Sequence, residues 1–217
     1  MSTNAVATAV PALAVLAAPE SAEAEAFRAL RANIKFAGGE DPPRVILLAD
    51  TGAGPTRPTV AANLAAALAL AGDATLLIDA DLRQPSLHRL FGTANDAGLA
   101  TYLAGGRGGA LPTVATGVPN LDLLPAGPTP PNPAELLAAN GFRAALAAAR
   151  EGATFVIIDA PPVTTLADAL SIAAVADGTL LIVRAGHTRR PAAQRAKEQL
   201  ERVGANLLGV ILTDAKG

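Results

Sequence analysis

The sequence predicts a doubly wound α/β fold in which a mostly parallel sheet carries helices on both of its faces. Short apolar runs alternate with segments of helical spacing, and this alternation is typical of strand–helix–strand units in a parallel sheet. Two of the apolar runs end in an aspartate, at Asp79 and at Asp159. Because parallel strands end at one edge of the sheet, where open α/β folds bind ligands, both acids are expected near a binding site.

The elements follow one another in the order that such a fold requires. Residues 21–36 form the first predicted helix, because Phe27, Leu30 and Ile34 recur at helical spacing, with acids early and bases late as the helix dipole favours. The other predicted helices cover residues 59–70, 133–150, 166–175 and 190–203. The predicted strands cover residues 45–49, 75–78, 121–124, 155–158, 179–183 and 207–212.

Length and composition indicate one domain with a short leader. The 217 residues suit a single α/β core, so we expect a flexible or loosely docked leader over residues 1–19 and one domain over residues 20–217. The apolar run at residues 5–18 is too short to span a bilayer and lacks a basic start, which makes a signal peptide the weaker alternative. The net charge of −2 argues against nucleic acid, and the absence of cysteine excludes disulfides and thiolate metal sites.

A pair of carboxylates follows the second predicted strand. Asp79 and Asp81 are one residue apart, and Arg83 comes two residues later. Neighbouring carboxylates repel each other unless a cation or a proton lies between them, so the pair predicts a site for a metal ion and a phosphate. Asp159 adds a third acid to this predicted metal site. Without a ligand the acids are expected to lower stability, so replacing Asp81 by Asn should be neutral or stabilising.

The segment at residues 50–59 lies where a phosphate-binding loop is expected. Such a loop ends in Gly-Lys-Ser/Thr, whose glycine lets backbone N–H groups close on phosphate, whose lysine reaches the β- and γ-phosphates and whose hydroxyl holds Mg²⁺. Here these positions hold Thr56, Arg57 and Pro58. Proline has no N–H and no hydroxyl, and a guanidinium does not replace the point charge of lysine, which leaves an ordinary strand–helix turn as the alternative. The candidate nucleotide contacts are Gly54, Thr56, Arg57, Thr59 and Arg83.

Taken together, these segments resemble the cytoplasmic domain of the bacterial tyrosine kinases that regulate capsule and exopolysaccharide assembly. The resemblance runs from about residue 20 to residue 214. The Pro/Asn/Glu loop at residues 127–137 is its most diagnostic mark, since partition ATPases that share the fold do not usually carry it. The other marks are Glu25-x-x-Arg28-x-x-Arg31, Asp79-x-Asp81-x-Arg83-x-Pro85 and Ile158-Asp159-Ala160-Pro161-Pro162.

The resemblance implies a P-loop NTPase-type sheet that binds ATP and Mg²⁺ and phosphorylates a C-terminal tyrosine cluster. It also implies that Asp79 and Asp81 serve the metal ion and the attacking tyrosine, and that Asp159 serves the metal ion. The implied partner is a transmembrane polysaccharide co-polymerase that activates the kinase. A homo-oligomer that can close into a ring through the Glu-x-x-Arg-x-x-Arg helix is implied as well, together with a cytoplasmic location at the inner face of the plasma membrane.

Two departures from this family separate three hypotheses of function. The phosphate loop has lost its glycine, lysine and serine, and the only tyrosine among the 217 residues is Tyr102. Phosphoryl transfer depends on positioning and electrostatic stabilisation, so the loss of lysine and hydroxyl is expected to reduce its rate by several orders of magnitude. The sequence therefore favours a pseudokinase with weak or no MgATP binding. The alternatives are an active ATP-dependent tyrosine autokinase and a partition-type ATPase of the ParA or MinD kind.

Some of these residues also have simpler interpretations. Asp79 alone suits a helix cap, and Asp168 is expected to be a solvated helix residue near the site rather than a catalyst. Glu25, Arg28 and Arg31 lie along one face of the first helix by their spacing. That face suits a solvated surface with local ion pairs, and only the family resemblance favours a subunit interface there.

Overall fold

The fold is a mostly parallel sheet between two layers of helices, as the sequence predicts. A computed structural model describes residues 13–37, 39, 41–52, 56–105, 109–138, 140–164 and 167–215. In this part of the chain the seven strands lie in the order β3-β4-β2-β5-β1-β6-β7, and only β3 runs antiparallel to its neighbour. The strands are β1 (Val45–Asp50), β2 (Thr75–Asp79), β3 (Val114–Ala115), β4 (Leu121–Leu124), β5 (Phe155–Asp159), β6 (Gly178–Arg184) and β7 (Leu207–Thr213).

Helices cover both faces of the sheet, and several short ones escaped the sequence analysis. The helices are α1 (Ala14–Ala17), α2 (Ala22–Phe36), α3 (Thr56–Ala69), α4 (Leu87–Leu90), α5 (Leu99–Ala104), α6 (Pro133–Ala138), α7 (Asn140–Gly152), α8 (Ala167–Ala173) and α9 (Arg190–Arg202). The helix predicted over residues 133–150 is described as α6 and α7, on either side of Ala139, which lies outside the described residues. Elements of two to six residues, such as β3, α4 and α5, are too short to show a hydrophobic period, which explains why they were missed.

Alternate residues of the central strands feed two separate hydrophobic layers, as the two-residue period of a strand requires. On one face Leu47 and Ile158 pack in a cluster with Phe142 of α7. On the other face Ile46 and Ile157 pack in a cluster that includes α2, α3 and α4. Burial on both faces gives the strands their almost continuous apolar sequences, and the polar site is confined to the strand ends.

The end of the predicted leader contains a short docked helix, α1. Leu13 is 0 % exposed and Val15 is 6 % exposed, and both belong to the core layer that contains α3. The backbone N–H of Val15 donates to Oδ1 of Asn63 at 3.2 Å, while Nδ2 of Asn63 donates to the carbonyl of Thr59 at 2.9 Å. α1 therefore helps to bury α3, and residues 1–12 lie outside the described residues. Among the described helices, none has the length and apolar character needed to cross a bilayer.

Candidate functional site

Three neighbouring strands bring their terminal acids together at the carboxyl edge of the sheet. β5 lies between β2 and β1, and Asp79 of β2 is in register with Asp159 of β5. Asp50 ends β1, and Asp81 follows β2 by two residues. All four acids are buried, with at most 6 % of any of them exposed. The predicted grouping of Asp79, Asp81 and Asp159 at one edge is therefore present, and Asp50 joins it.

Arg57 lies inside this group of acids. It is the second residue of α3 and is 6 % exposed. Its Nη2 lies 3.0 Å from Oδ2 of Asp81, its Nη1 lies 3.5 Å from Oδ2 of Asp50, and its Nε donates to Oδ1 of Asp159. The residue at the lysine position of the phosphate loop thus forms a buried ionic cluster with the ends of three strands.

Burial and the shared charge shift the pKa values of this cluster. Burial lowers the pKa of Arg57, but Asp159 and Asp50 more than offset it, so the pKa of the guanidinium is raised and it stays charged. Burial raises the pKa of Asp159 to about 6, although Arg57 opposes the rise. Burial likewise raises the pKa of Asp50 against the effect of Arg57. At Asp159 and Asp50 the effect of burial on the pKa therefore exceeds the opposing effect of Arg57.

Asp79 caps the helix that follows it, which agrees with its simpler interpretation. Its Oδ2 accepts hydrogen bonds from the backbone N–H groups of Ser86 at 2.9 Å and Leu87 at 3.0 Å, where α4 begins. Its Oδ1 accepts from the N–H of Asp81 at 3.3 Å. Burial, followed by the nearby charge of Asp159, raises the pKa of Asp79 to about 7. This carboxyl group thus has a structural role in the turn after β2, and its catalytic role stays a prediction.

Arg83 is bound to an acid of the neighbouring helix α8. Its Nε lies 2.9 Å from Oδ2 of Asp168, which is 2 % exposed. The expectation that Asp168 is solvated is therefore wrong, because its side chain is buried and pairs with Arg83. In the turn after β2, Oδ1 of Asp81 accepts hydrogen bonds from the backbone N–H groups of Arg83 at 3.3 Å and Gln84 at 3.0 Å. These bonds fix the turn, so the predicted contact of Arg83 with a nucleotide would compete with Asp168.

A cleft of about 670 Å³ opens above the cluster. Asp50, Arg57 and Asp81 line it, together with Thr59 and the exposed Arg89 of α4. A larger cavity of about 840 Å³ lies near the starts of β2 and β4, at the opposite edge of the sheet. We assign the site to the smaller cleft because the buried charged groups are there.

The residues of this cleft do not fit a Mg²⁺–ATP complex. The guanidinium of Arg57 already contacts the carboxylates that would hold a metal ion, and Pro58 offers neither a hydroxyl nor an N–H group. In the described part of the chain, no three His, Cys, Asp or Glu side chains are arranged so that they could hold a metal ion. Thr56 begins α3 and Thr59 is exposed in its first turn, whereas Gly54 lies outside the described residues. Their predicted contacts with a nucleotide stay predictions.

The predicted interface residues on α2 make contacts within the chain. Nε of Arg28 lies 2.7 Å from Oε2 of Glu25, and its Nη1 donates to the carbonyl of Pro19 at 2.8 Å. Nη1 of Arg31 donates to the carbonyl of Ala67, near the end of α3, at 3.2 Å. These bonds are the local contacts of the simpler interpretation, and the subunit interface stays a prediction.

Asp50 is the site residue that the sequence analysis missed. It was treated as the start of the loop, but it is the last residue of β1 and pairs with Arg57. Its other oxygen, Oδ1, accepts from the N–H of Gly52 at 3.0 Å. A signal was present, because β1 is an apolar strand that ends in an acid, as β2 and β5 are.

Comparisons with known proteins find one ATPase family model and a set of tyrosine-protein kinases. The family model of the ATPase MipZ matches residues 44–182. The tyrosine-protein kinase YwqD of Bacillus subtilis is 37% identical over 198 residues, which cover 91% of this chain and 84% of that protein. The solved structure of the chimerical protein CapA2B2 has a TM-score of 0.85 and 36% identity, and covers 92% of this chain and 88% of that one.

A second solved structure gives the same result. The kinase domain of the Escherichia coli tyrosine kinase ETK has a TM-score of 0.83 and 32% identity, and the match covers 94% of this chain and 82% of that one. The similarity extends over nearly the whole sequence. On the strength of these matches and the P-loop fold that they share, the chain belongs to the family of bacterial tyrosine-protein kinases.

Proposed function

We propose that the chain is a tyrosine-kinase-like domain that regulates the polymerisation and export of capsule or exopolysaccharide and binds MgATP weakly or not at all. The observation that carries this proposal is the position of Arg57, whose guanidinium contacts Asp50, Asp81 and Asp159. A side chain held in this way does not reach the phosphates of a nucleotide. The domain would then act as a pseudokinase, through the contacts that it makes with other proteins.

The energetics of the cluster support this proposal. Phosphoryl transfer in P-loop enzymes uses a lysine on the β- and γ-phosphates and a hydroxyl on Mg²⁺. To take over the first task, Arg57 would have to leave its buried acids, and breaking a buried ion pair costs about 3–5 kcal/mol. Pro58 cannot perform the second task in any conformation. Both losses fall on the same site, so they reduce binding and catalysis together.

Tyr102 is poorly placed to be a phosphate acceptor for the cleft. Tyr102 is the only tyrosine among the 217 residues. It lies on α5, is half-buried and packs against the core layer that contains α7. A phosphate acceptor must reach the attacking position of a cleft in line with the leaving group. A half-buried side chain of the protein core is a poor candidate for that role.

The proposed partners follow from the family. We propose a transmembrane co-polymerase as the partner, a homo-oligomer as the assembled form, and a cytoplasmic position at the inner face of the plasma membrane. The kinase relatives support this assignment, and the chimerical protein CapA2B2 is among the solved structures that the chain resembles. Within the chain, the charged face of α2 that carries Glu25, Arg28 and Arg31 is our candidate contact surface.

A calorimetric titration of MgATP tests the proposal. We expect no measurable or only weak binding by the natural sequence, and clear binding by the variant that carries Thr56→Gly, Arg57→Lys and Pro58→Ser together. A matched control carries Thr56→Gly and Pro58→Ser but keeps Arg57, and it should still bind poorly because the guanidinium remains on the acids. Tight MgATP binding by the natural sequence, with phosphorylation of the protein, would reject the proposal in favour of the autokinase.

A further inference from the structure

We infer that Arg57 is an internal replacement for a bound cation, so that the acid cluster of this domain is complete without any metal ion. The guanidinium lies near the ends of β1, β2 and β5, and it contacts the last residue of β1, the last residue of β5 and Asp81, two residues after β2. This inference deepens the proposed function by saying how the site is regulated. Because Arg57 already pairs with the acids, their arrangement does not change in a cycle of metal and nucleotide binding.

The shape of the guanidinium matches the arrangement of the acids. Each of its three nitrogens faces a different carboxylate: Nε faces Asp159, Nη1 faces Asp50 and Nη2 faces Asp81. A planar cation with several fixed N–H donors suits acids that lie apart, whereas all contacts of a lysine must converge on its one ammonium nitrogen. The three-way contact therefore accounts for an arginine, rather than a lysine, at this position.

The remaining oxygens of the cluster show which ligand class the acids would take without Arg57. The outer oxygens of Asp50 and Asp81 are held by backbone N–H groups. Oδ2 of Asp159 is buried and makes no hydrogen bond within the described part of the chain. If the guanidinium were removed, at least three inward-facing carboxylate oxygens and this orphan oxygen would surround the space it leaves. Hard divalent cations such as Mg²⁺ and Mn²⁺ prefer such oxygen ligands. The chain thus keeps the oxygen ligands that a divalent cation prefers, at positions that do not form a metal site while Arg57 lies among them.

Arg57 also ties α3 to the sheet. It lies in the first turn of α3, directly after the phosphate-loop segment, and its three partners lie on or directly after three neighbouring strands. A buried cation shared among acids leaves costly unpaired charges when it is removed. The same side chain that keeps metal out is therefore expected to hold the helix and the strand ends together.

Melting curves and manganese binding test this inference on the whole protein. We expect the natural sequence to melt at the same temperature in EDTA, Mg²⁺ and Mn²⁺ at equal ionic strength, and to bind no Mn²⁺ by electron paramagnetic resonance. Arg57→Ala should melt several degrees lower in EDTA, recover part of that loss in Mn²⁺, and bind one Mn²⁺ per chain. Arg89→Ala removes the same charge from an exposed arginine of the same cleft, and it should behave like the natural sequence.

A double variant separates a specific site from general charge effects. Arg57→Ala with Asp159→Asn should regain stability in EDTA, since it removes charge of both signs, and it should lose the Mn²⁺ response. If Arg57→Ala does not fold, Arg57→Lys replaces it and should melt below the natural protein with a weaker Mn²⁺ response. Binding of Mn²⁺ by the natural sequence, or an unchanged melting temperature in Arg57→Ala, would overturn the inference.

These outcomes can be distinguished from a failure of the proposed function. A natural sequence that binds Mn²⁺ at the acids but no ATP would overturn the internal cation and leave the pseudokinase standing. A natural sequence that binds ATP without any Mn²⁺ or Mg²⁺ would overturn the proposed function and leave the internal cation standing.

Discussion

Two groups of arginines and carboxylates in this chain lie in opposite surroundings. At the strand ends, Arg57 is 6 % exposed and contacts acids that are equally buried. On α2, the side chain of Arg28 is 37% exposed and that of its partner Glu25 is 68% exposed. A broken buried pair costs about 3–5 kcal/mol, whereas an exposed pair contributes about 0–1 kcal/mol. The Glu-x-x-Arg-x-x-Arg motif of α2 is therefore expected to contribute little to the free energy of unfolding. Arg57, which stands at the lysine position of the phosphate loop, is expected to contribute much more.

The largest expected effect is that of Arg57→Ala. Removing the guanidinium leaves three buried acids without their shared cation, so we expect the free energy of unfolding to fall by about 3–5 kcal/mol. Denaturant unfolding followed by circular dichroism measures this change. Arg28→Ala is the comparison variant on the surface, and its effect should stay within about 1 kcal/mol. Equal effects of the two variants would show that the buried cluster contributes no more to the free energy of unfolding than the exposed pair on α2.

The second prediction concerns pH. The pKa of Asp79 is raised to about 7 and that of Asp159 to about 6, both chiefly by burial, from an ordinary value of 3.8. At pH values between the ordinary pKa and the raised pKa of each acid, the folded state therefore binds more protons than the unfolded state. The free energy of unfolding should fall as the pH rises through 6 and 7. We expect a higher melting temperature at pH 5 than at pH 8.

The variant Asp79→Asn checks the source of this pH dependence. Asparagine keeps an acceptor oxygen for the cap of α4 but does not titrate, so the difference between pH 5 and pH 8 should become smaller. A pH dependence that is unchanged in Asp79→Asn, or one of the opposite sign in the natural protein, would contradict the assignment of Asp79 as a buried, partly protonated acid.

The third prediction corrects an expectation from the sequence. Asp81→Asn was expected to be neutral or stabilising because the acids should repel one another. The structure supplies the missing partner, since Oδ2 of Asp81 lies 3.0 Å from Nη2 of Arg57. We now expect a loss of about 1 kcal/mol, because the charged hydrogen bond is weakened while repulsion from the other acids is relieved. Chemical denaturation measures it, with Asp122→Asn, an exposed strand acid, as the matched control.

The smallest effect on folding is expected from the face of α2, but its effect on assembly can be large. We predict a homo-oligomer, favoured at high concentration, that weakens when Arg28 and Arg31 are both replaced by alanine, because such arginines can pair with carboxylates of a neighbouring subunit. Light scattering coupled to gel filtration measures it. The variant Lys197→Ala, which removes an exposed pair with Glu201, is the control. A monomer at high concentration in both the natural protein and the variant would leave α2 as a solvated face.

Much of the fold could be predicted from the sequence because its central strands β1, β2 and β5 are buried on both faces and therefore continuously apolar. The grouping of Asp79 and Asp159 at one edge follows from parallel strands alone. The ionic partners could not be predicted in the same way, because Arg57 is separated from Asp159 by 102 residues and the pair depends on the final packing of α3. Asp168 was misjudged for the same reason, since its partner Arg83 comes from a loop far away in sequence.

A crystal structure of the protein crystallised with Mn²⁺ and ADP tests most directly whether Arg57 takes the place of a metal ion among the acids. Anomalous scattering reports the metal, and the electron density of Arg57 reports the side chain in the same experiment. We predict that the guanidinium contacts Asp50, Asp81 and Asp159, with no anomalous peak at these acids. A manganese peak at the acids, with Arg57 turned away toward a bound nucleotide, would contradict the account.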